Sequence, residues 1–385
     1  MPAGSALSDM LTRLIAFDTT SRNSNLDLIA FAGDTLKAAG ATTRLTYDSD
    51  KRKANLFATL GPALDGGYVL SSHSDVVPVD GQDWSSDPFS GQIRDGRLYG
   101  RGAADMKGFI AVALALAPEF AAADLKRPLH FALSFDEEVG CIGVRRLLDD
   151  VTAAGIRPAL AIIGEPTEMR VVAAHKAGAI IETIVRGREG HSSAPALGAN
   201  AVMMAGEFVG ALAALGEELK KERDEFFEPP YTTIQANMIS GGTAVNVLAR
   251  EAKVIWEYRA LPDRDPNLIL ERASAAAAAI LPRYREGAPE ADFTTRIKAA
   301  YPGLKRDPHS PALQLAQALS GGNDVHAVSY GTEAGLFQRA GIPSVVCGPG
   351  SLAQAHRADE FVALDQLDAC AAFLRRVGER AAENP

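Results

Sequence analysis

Two short apolar runs in this sequence end in side chains that could do chemistry. YVLSSHSD ends in His73 and Asp75, and ALAIIGE ends in Glu165. Residues two apart in an extended strand face the same side, so Asp75 can lie beside the imidazole, where it shares a metal or fixes the tautomer of the ring. In open α/β sheets, sites form at the carboxyl ends of strands. Both runs therefore predict a site at a sheet edge.

A third apolar run, LHFALSFDEE, ends in the acids Asp136, Glu137 and Glu138. Clustered carboxylates repel one another unless cations neutralise them, so a metal ion is a natural partner, although an exposed acidic turn is the commoner explanation of such a cluster. Adjacent residues point in different directions. The run therefore permits one metal ligand and one general base, and the spacing does not decide between them.

Two further motifs add an acid and a histidine. DGRLYGRGAADMKG places Asp105 in a glycine-rich turn before a long helix, and GPGSLAQAHRADE places His356 on a loop. Each motif alone also fits a helix cap or a solvated loop. Taken together, two histidines and several carboxylates without cysteine favour a hydrolytic pair of Zn²⁺, Co²⁺ or Mn²⁺ ions over a structural zinc site.

Composition excludes several classes of protein. Lys and Arg total 39 against 48 Asp and Glu, and the net charge of -9 disfavours nucleic acid or anionic membrane as a partner. The three cysteines include no CxxC pair, which argues against a disulfide framework and favours a reducing, cytoplasmic compartment. The longest apolar run, 109–117, is far shorter than the roughly 20 residues of a membrane span. The first 20 residues predict a helix and not a signal peptide.

Hydrophobic periodicity predicts an α/β fold with a mixed, mainly parallel sheet and an inserted domain. In the first part, strands are predicted at 56–60, 68–72, 129–135 and 160–163, and helices at 108–122 and 144–151. The inserted part has strands at 180–185, 232–239, 252–258 and 293–297 and helices at 200–215 and 268–281, an α+β, ferredoxin-like βαββαβ order. Helices at 311–319, at 333–340 and from 365, with a strand at 343–347, then resume the α/β rhythm. The predicted domains are 1–177 with 299–385, and 178–298.

These motifs, in this order and over nearly the whole chain, resemble the dinuclear zinc metallopeptidase and amidohydrolase family of deacetylases, desuccinylases, aminoacylases and carboxypeptidases. The resemblance implies a zinc-peptidase-like catalytic domain and an inserted lid or dimerisation domain. It also implies two divalent ions, Zn²⁺ in the first place and Co²⁺ as the alternative. The expected partners are a small-molecule N-acyl amino acid and a second copy of the chain.

The same resemblance assigns roles to the residues of the motifs. His73 and Glu165 would bind one metal ion, Glu138 and His356 the other, and Asp105 would bridge them. Glu137 would be the general base that activates a metal-bridged water, and Asp75 would orient His73. The choice between Glu137 and Glu138 comes from the family pattern alone.

Three residues of the inserted domain receive roles in the same way. His191 in GHSSAP would stabilise the tetrahedral oxyanion, commonly in the active site of the partner subunit. Arg259 in WEYRALP and Asn246 in TAVNVLAR would contact the substrate carboxylate, for which a guanidinium is well shaped. Without the resemblance, His191 is an ordinary loop histidine and Arg259 a solvated strand-end residue.

Three segments look most like the branch of the family that deacetylates N-acetyl-L-ornithine: HKAGAIIETIVRGREGHSSAPALGANAV, GTEAGLF and GPGSLAQAHRADEF. That likeness implies hydrolysis of the amide to L-ornithine and acetate, a step of arginine biosynthesis. The alternatives are desuccinylation of succinyl-diaminopimelate, hydrolysis of other N-acyl amino acids and trimming of peptides at the C-terminus. A non-catalytic metal-binding protein is a further alternative. A nucleotide-binding Rossmann protein is set aside, because no GxGxxG follows the first strand.

Overall fold

The computed structural model describes residues 3–384, with side chains from residue 6 onward. The chain forms two compact units. One consists of His175–Gly303 together with Ala327–Gly331, and the other contains the remaining described residues. We call the latter the first unit and the former the second unit. In sequence the first unit is divided into three segments, which the two segments of the second unit separate.

Regular elements cover most of the described chain. The helices are α1 (Ala3–Ile15), α2 (Leu26–Ala38), α3 (Gly108–Ala122), α4 (Gly143–Ala153), α5 (Ala201–Leu219), α6 (Asn267–Arg285), α7 (Pro311–Ser320), α8 (Ala334–Arg339) and α9 (Leu364–Ala382). The strands are β1 (Thr42–Tyr47), β2 (Ala54–Leu60), β3 (Tyr68–His73), β4 (Gln92–Arg94), β5 (Arg97–Tyr99), β6 (Leu129–Ser134), β7 (Leu160–Ile163), β8 (Val172–His175), β9 (Ala177–Arg186), β10 (Thr233–Gly241), β11 (Glu251–Ala260), β12 (Asp292–Tyr301), β13 (His326–Val328), β14 (Ser344–Val346) and β15 (Phe361–Ala363).

The larger sheet has eight strands in the order β1-β2-β6-β3-β7-β14-β8-β13. Its central strands β6, β3, β7 and β14 are mutually parallel, and antiparallel pairs flank them. Every residue of β3, β6 and β7 is buried. A strand covered on both faces reads as a continuous apolar run, and these sequences have that character. The predicted α/β class with a mixed sheet is confirmed.

Helix α3 is the central helix of the first unit. It is apolar on nearly all sides and mostly buried, which is the expected pattern for a helix enclosed by other elements. It packs against α1 and α9. Its start is important for the site, because the turn that carries Asp105 leads directly into it.

The second unit contains a four-stranded antiparallel sheet in the order β10-β11-β9-β12. Along the chain its elements follow the order strand, helix, strand, strand, helix, strand. Its core lies between α5, α6 and one face of the sheet and is centred on Phe208 and Trp256. Strand β10 is at the edge of the sheet and is exposed over most of its length.

The predicted elements correspond to observed ones, with small shifts at their ends. Helix α3 and strand β7 have the predicted bounds, and the predicted strand 129–135 ends one residue earlier as β6. Helix α2 and the small sheet β15-β5-β4 were not predicted. All three strands of this sheet have only three residues, too few for periodicity to show. Within residues 3–384, no helix is both long and apolar enough to span a membrane.

Strands β2 and β6 bury a histidine that has no part in the site. The ring of His130 stacks on Phe57 at 5.1 Å, and its Nδ1 lies 2.9 Å from the hydroxyl of Thr59. A neutral ring can accept from that hydroxyl at Nδ1 and donate from Nε2 to the carbonyl of Gly66 at 3.4 Å. Burial lowers the pKa of His130 to about 4, because the charged form loses its hydration.

His130 therefore makes unfolding easier in mild acid. In the unfolded chain the ring takes up a proton below its ordinary pKa of 6.5, whereas the folded ring resists protonation until about pH 4. The destabilisation by His130 is absent above pH 6.5 and grows as the pH falls from 6.5 to about 4. Between pH 7 and pH 5, the free energy of unfolding of the wild type should fall by about 2 kcal/mol more than that of His130→Gln. Urea unfolding at both pH values measures the difference, and equal pH dependence of the two proteins would contradict it.

Candidate metal centre

Three parallel strands end side by side at one edge of the larger sheet. His73 is the last residue of β3, and Glu165 follows closely after β7. Glu137 and Glu138 follow β6 through a short turn. Because β3 pairs in parallel with both β6 and β7, the carboxyl ends of all three meet at this edge. The pairing brings the three predicted acids to His73.

Asp105 and His356 reach the same edge from loops. Asp105 lies in an irregular helical turn before α3, with extended φ and ψ of -123° and 94°. Gly102, at φ 82°, makes the reversal that starts this turn. The loop that carries His356 begins against the Glu165 segment, where a Cβ on Gly348 would lie 2.0 Å from the carbonyl oxygen of Gly164. Only glycine permits so close an approach.

The five predicted ligands form one cluster, and Asp105 lies between the two histidines. His73 Nε2 lies 3.0 Å from Asp105 Oδ1 and 3.8 Å from Glu165 Oε1. His356 Nε2 lies 3.3 Å from Asp105 Oδ2 and 3.2 Å from Glu138 Oε2. Asp105 thus presents one oxygen to each histidine. Ligand atoms of His73, Asp105 and Glu138 all lie within 4.8 Å of one another, close enough to hold one ion.

Burial is uneven across this cluster. The side chain of His73 is 1% exposed, whereas that of His356 is 52% exposed. The carboxylates of Asp105, Glu138 and Glu165 are at most 9% exposed. The cluster is therefore a buried acidic group that opens to solvent on the side of His356.

The acids of the cluster carry more negative charge than they can hold without cations. Burial, and after it the charge of Asp105, raises the pKa of Glu138 to about 7. The same two causes raise the pKa of Glu165 well above its ordinary value. Burial alone would lower the pKa of His73, but the hydrogen bond to Asp105 and the charge of Glu165 raise it well above 6.5. Divalent cations would neutralise the same charge, and the oxygen and imidazole donors suit hydrolytic divalent ions.

Asp75 has contacts that its position in the sequence did not predict. His73 Nδ1 lies 2.9 Å from the main-chain carbonyl of Asp75 and 3.7 Å from its carboxylate. The carboxylate instead accepts hydrogen bonds from the backbone N–H groups of Glu137 at 3.0 Å and Glu138 at 3.3 Å, and from the hydroxyl of Ser21 at 2.6 Å. Through its carbonyl Asp75 orients the ring, and through its carboxylate it holds the acidic turn.

Glu137 lies next to the cluster and bonds to none of the histidines. Burial raises its pKa well above the ordinary value, and the charge of Glu138 adds to this effect. The thiol of Cys141 lies 3.3 Å from Glu137 Oε1 and can donate to it. A buried carboxyl with a raised pKa is suited to accept and return a proton.

Two other buried acids near the cluster were not identified from the sequence. Glu333, in GTEAGLF, accepts a hydrogen bond from the hydroxyl of Ser134, and burial raises its pKa to about 7. Glu360, in HRADEF, accepts from the backbone N–H groups of Ala104 and Asp105. Both segments contributed to the family resemblance, and that was the only sign of these residues in the sequence.

The remaining predicted residues belong to the second unit. His191 is exposed, and Ser193 donates to its Nδ1 from the backbone N–H at 3.2 Å. The carbonyl of Asn246 accepts from Ser192 N–H at 3.0 Å, and His191 forms a bridge with Val247, so the unit brings Asn246 beside His191. Arg259 donates to the hydroxyl of Tyr301 and forms an ion pair with Glu257 at 3.1 Å. Its guanidinium is thus already partly neutralised within its own unit.

Comparisons with known proteins identify the family of this chain. The sequence model described as peptidase family M20/M25/M40 matches residues 69–380. An acetylornithine deacetylase of Myxococcus xanthus is 38% identical over 378 residues, 96% of each chain. An acetylornithine deacetylase of Shigella sonnei is 34% identical over 342 residues, 88% of this chain and 86% of that protein. The chain belongs to peptidase family M20/M25/M40.

Solved structures show the same fold at low sequence identity. An M20 family metallo-carboxypeptidase of Sulfolobus solfataricus has a TM-score of 0.79 and 16% identity, with 99% of this chain and all of that chain covered. A Bacillus subtilis protein described as a dinuclear metal binding peptidase has a TM-score of 0.65 and 16% identity, over 97% and 98% of the two chains. The family resemblance and the hydrolase class predicted from the sequence are confirmed.

Binding of metal to the acidic cluster should stabilise the folded chain. An ion that binds only the folded state adds about 4 kcal/mol when its free concentration is 1,000 times the dissociation constant. We expect protein treated with a chelator to unfold at a lower temperature, and Zn²⁺ or Co²⁺ to restore the loss. Scanning calorimetry with and without metal measures this effect.

Two histidine variants provide the matched comparison. His356→Ala should lose much of the stabilisation by metal, whereas His309→Ala, at an exposed position near the start of α7, should keep it. A melting temperature of the wild type that does not respond to metal would mean that the cluster holds no ion.

Proposed function

We propose that this chain hydrolyses the amide bond of N-acetyl-L-ornithine to L-ornithine and acetate, with two divalent ions, Zn²⁺ or alternatively Co²⁺. The observation that carries the proposal is the convergence of His73 and His356 on the two oxygens of Asp105, with Glu138 and Glu165 beside them. The relatives named acetylornithine deacetylase, similar over nearly the whole chain, support the choice of substrate. On this proposal the enzyme acts in arginine biosynthesis in the cytoplasm.

The distances support the assignment of ligands. His73 and Glu165 would hold one ion and Glu138 and His356 the other, because Glu165 Oε1 lies 3.8 Å from His73 Nε2 and Glu138 Oε2 lies 3.2 Å from His356 Nε2. Asp105 would bridge the two, since its Oδ1 faces His73 and its Oδ2 faces His356. The ions would supply Lewis acidity, which polarises an acyl carbonyl and makes water nucleophilic near neutral pH.

Glu137 is the group we assign to proton transfer. Its carboxylate takes a proton from the attacking water and returns it to the amine as the C–N bond breaks, so that acetate and ornithine leave. Its backbone N–H is held by the carboxylate of Asp75, which limits the movement of the base. The raised pKa of Glu137 favours the return of the proton in the second half of the reaction.

His191 is assigned to the developing oxyanion. A backbone N–H can only donate, so the Ser193 contact at 3.2 Å makes His191 Nδ1 an acceptor. The neutral ring then carries its proton on Nε2, which is the donor that an oxyanion requires. Asn246, beside His191, and Arg259 are assigned to the carboxylate of the substrate, with Arg259 giving up part of its bond to Glu257.

A panel of substrates tests the proposal. Metal-stripped protein, restored with Zn²⁺ or Co²⁺, should deacetylate N-acetyl-L-ornithine faster than it hydrolyses N-succinyl-diaminopimelate or N-acetyl-L-methionine. Ornithine release measures the rate. Faster turnover of either competitor would refute the substrate assignment and leave the metal centre intact. No turnover of any substrate by metal-loaded protein would favour a non-catalytic role.

Glu137→Gln is the matched variant for this assay. Removal of one general base costs about 10²–10⁴-fold in rate, and the amide keeps the size of the side chain. We expect that loss of kcat with two ions still bound, as measured by metal analysis. Activity close to that of the wild type would rule out Glu137 as the base.

We also propose that two copies of the chain pair through the second unit, as a lid and dimerisation domain would. Among the described strands, β10 has no neighbour on its outer side, and it exposes Met238 at 65% and Ile239 at 54%. An unpaired apolar edge is suited to pairing with another strand, and natural monomers usually protect such edges.

Light scattering tests the pairing. We expect a dimer for the wild type and a shift towards monomer for Met238→Lys, because a charge on the edge opposes strand pairing. Leu64→Lys, at a 62% exposed apolar residue of the first unit, is the control and should remain dimeric. A monomeric wild type would overturn this part of the proposal.

A further inference from the structure

A buried ion pair lies beside the acidic cluster and has no role in the proposed reaction. Arg101 Nη1 donates to Glu360 Oε2 at 2.7 Å, and both side chains are 1% exposed. Two charges so far from water lose most of their hydration, so such a pair persists only if further hydrogen bonds satisfy it. The partners in those hydrogen bonds show which segments the pair holds in place.

Glu360 holds the backbone of the bridging acid. Its Oε1 accepts from the N–H of Ala104 at 2.9 Å and from the N–H of Asp105 at 3.1 Å. These two amides lie in the irregular turn before α3, where Asp105 has extended φ and ψ. In a regular helix, main-chain carbonyls would accept from those two amides. In this turn the carboxylate of Glu360 accepts instead, and it thereby fixes the turn.

Arg101 extends this contact to the loop of His356. Its guanidinium donates to the carbonyl of Arg357 at 3.2 Å and to the side-chain oxygen of Gln82. Gln82 in turn donates from Nε2 to the carbonyl of His356 at 2.9 Å. The indole N–H of Trp84 donates to the same Gln82 oxygen at 3.2 Å, which leaves the amide only one orientation.

We propose that Glu360, Arg101 and Gln82 are positioning residues that hold Asp105 and His356 at the separation two metal ions require. None of the three is a ligand in the assignment above. The inference rests on the proposed function in one respect, since it takes Asp105 as the bridge and His356 as a ligand of the second ion.

The contacts assign different parts to the three residues. Glu360 touches the backbone of Asp105, so its loss should weaken both ions. The side chain of Gln82 bonds to the His356 loop, the guanidinium and Trp84, and among the described residues it has no bond to the Asp105 turn. Its loss should therefore weaken the ion that His356 binds and leave the other. An ion pair that merely stabilised the fold would change the melting temperature of the metal-free protein and leave metal affinity unchanged.

Competition with a chromophoric chelator tests the proposal, with Zn²⁺ as the probe and full-length protein. Mutation of such supporting residues costs about 10–100-fold in metal affinity. We expect that loss for both ions in Glu360→Gln and for one ion in Gln82→Met. The visible spectrum of bound Co²⁺ should also change in both variants, because it reports the geometry around the ion. Glu290→Gln, which removes the partner of exposed Arg188 in the second unit, is the control and should match the wild type.

Metal affinity separates this inference from the choice of substrate. A wild type that binds two ions without deacetylating N-acetyl-L-ornithine would contradict the proposed function and leave the positioning test valid. If Glu360→Gln fails to fold, Gln82→Met decides, because Gln82 is only half-buried and its replacement leaves the ion pair in place. Wild-type affinity for both ions and an unchanged Co²⁺ spectrum in Gln82→Met would overturn the proposal, as would the same result in a folded Glu360→Gln.

Discussion

The repulsion among buried carboxylates at one edge of the larger sheet is the constraint on which the rest of the first unit depends. Asp105, Glu138 and Glu165 lie close together and almost out of contact with water. Water cannot screen their charges there, so cations or protons must neutralise them. The fold has to supply enough stability elsewhere to keep these acids together, and the fully buried parallel strands and the apolar helix α3 are suited to that task.

Two other buried carboxylates act on the backbone of the site. Asp75 accepts hydrogen bonds from the backbone N–H groups of Glu137 and Glu138 in one turn. Glu360 accepts hydrogen bonds from backbone N–H groups in the turn that carries Asp105. A carboxylate can accept several hydrogen bonds at once, so one side chain fixes two consecutive amides of an irregular turn. These hydrogen bonds limit the conformations open to both turns. Orientation of ligands through the main chain is as much a part of this site as the ligands themselves.

Much of the fold, and the meeting of the candidate ligands at one edge of the sheet, could be predicted from the sequence, and the reasons are physical. Buried strands such as β7 and the apolar helix α3 are continuous apolar runs, so their bounds were predictable. His73 and Glu165 follow such runs directly, and parallel pairing then brings them together. The contacts of Asp75 and Glu360 were not predictable, because they join segments far apart in the chain through backbone amides that leave no mark in a sequence. The roles of His191, Asn246 and Arg259 stay predictions, since each rests on the family pattern.

The order of the ligands along the chain affects when the site can form during synthesis. His356 meets Glu138 across 218 residues, and the whole second unit is translated between them. A nascent chain therefore exposes its cluster of acids on the ribosome long before the last imidazole emerges. Contacts between such distant segments form slowly, because a long loop must close first. The acidic edge must therefore do without His356 for most of translation, and only His73 is available to pair with Asp105 and Glu165 during that time.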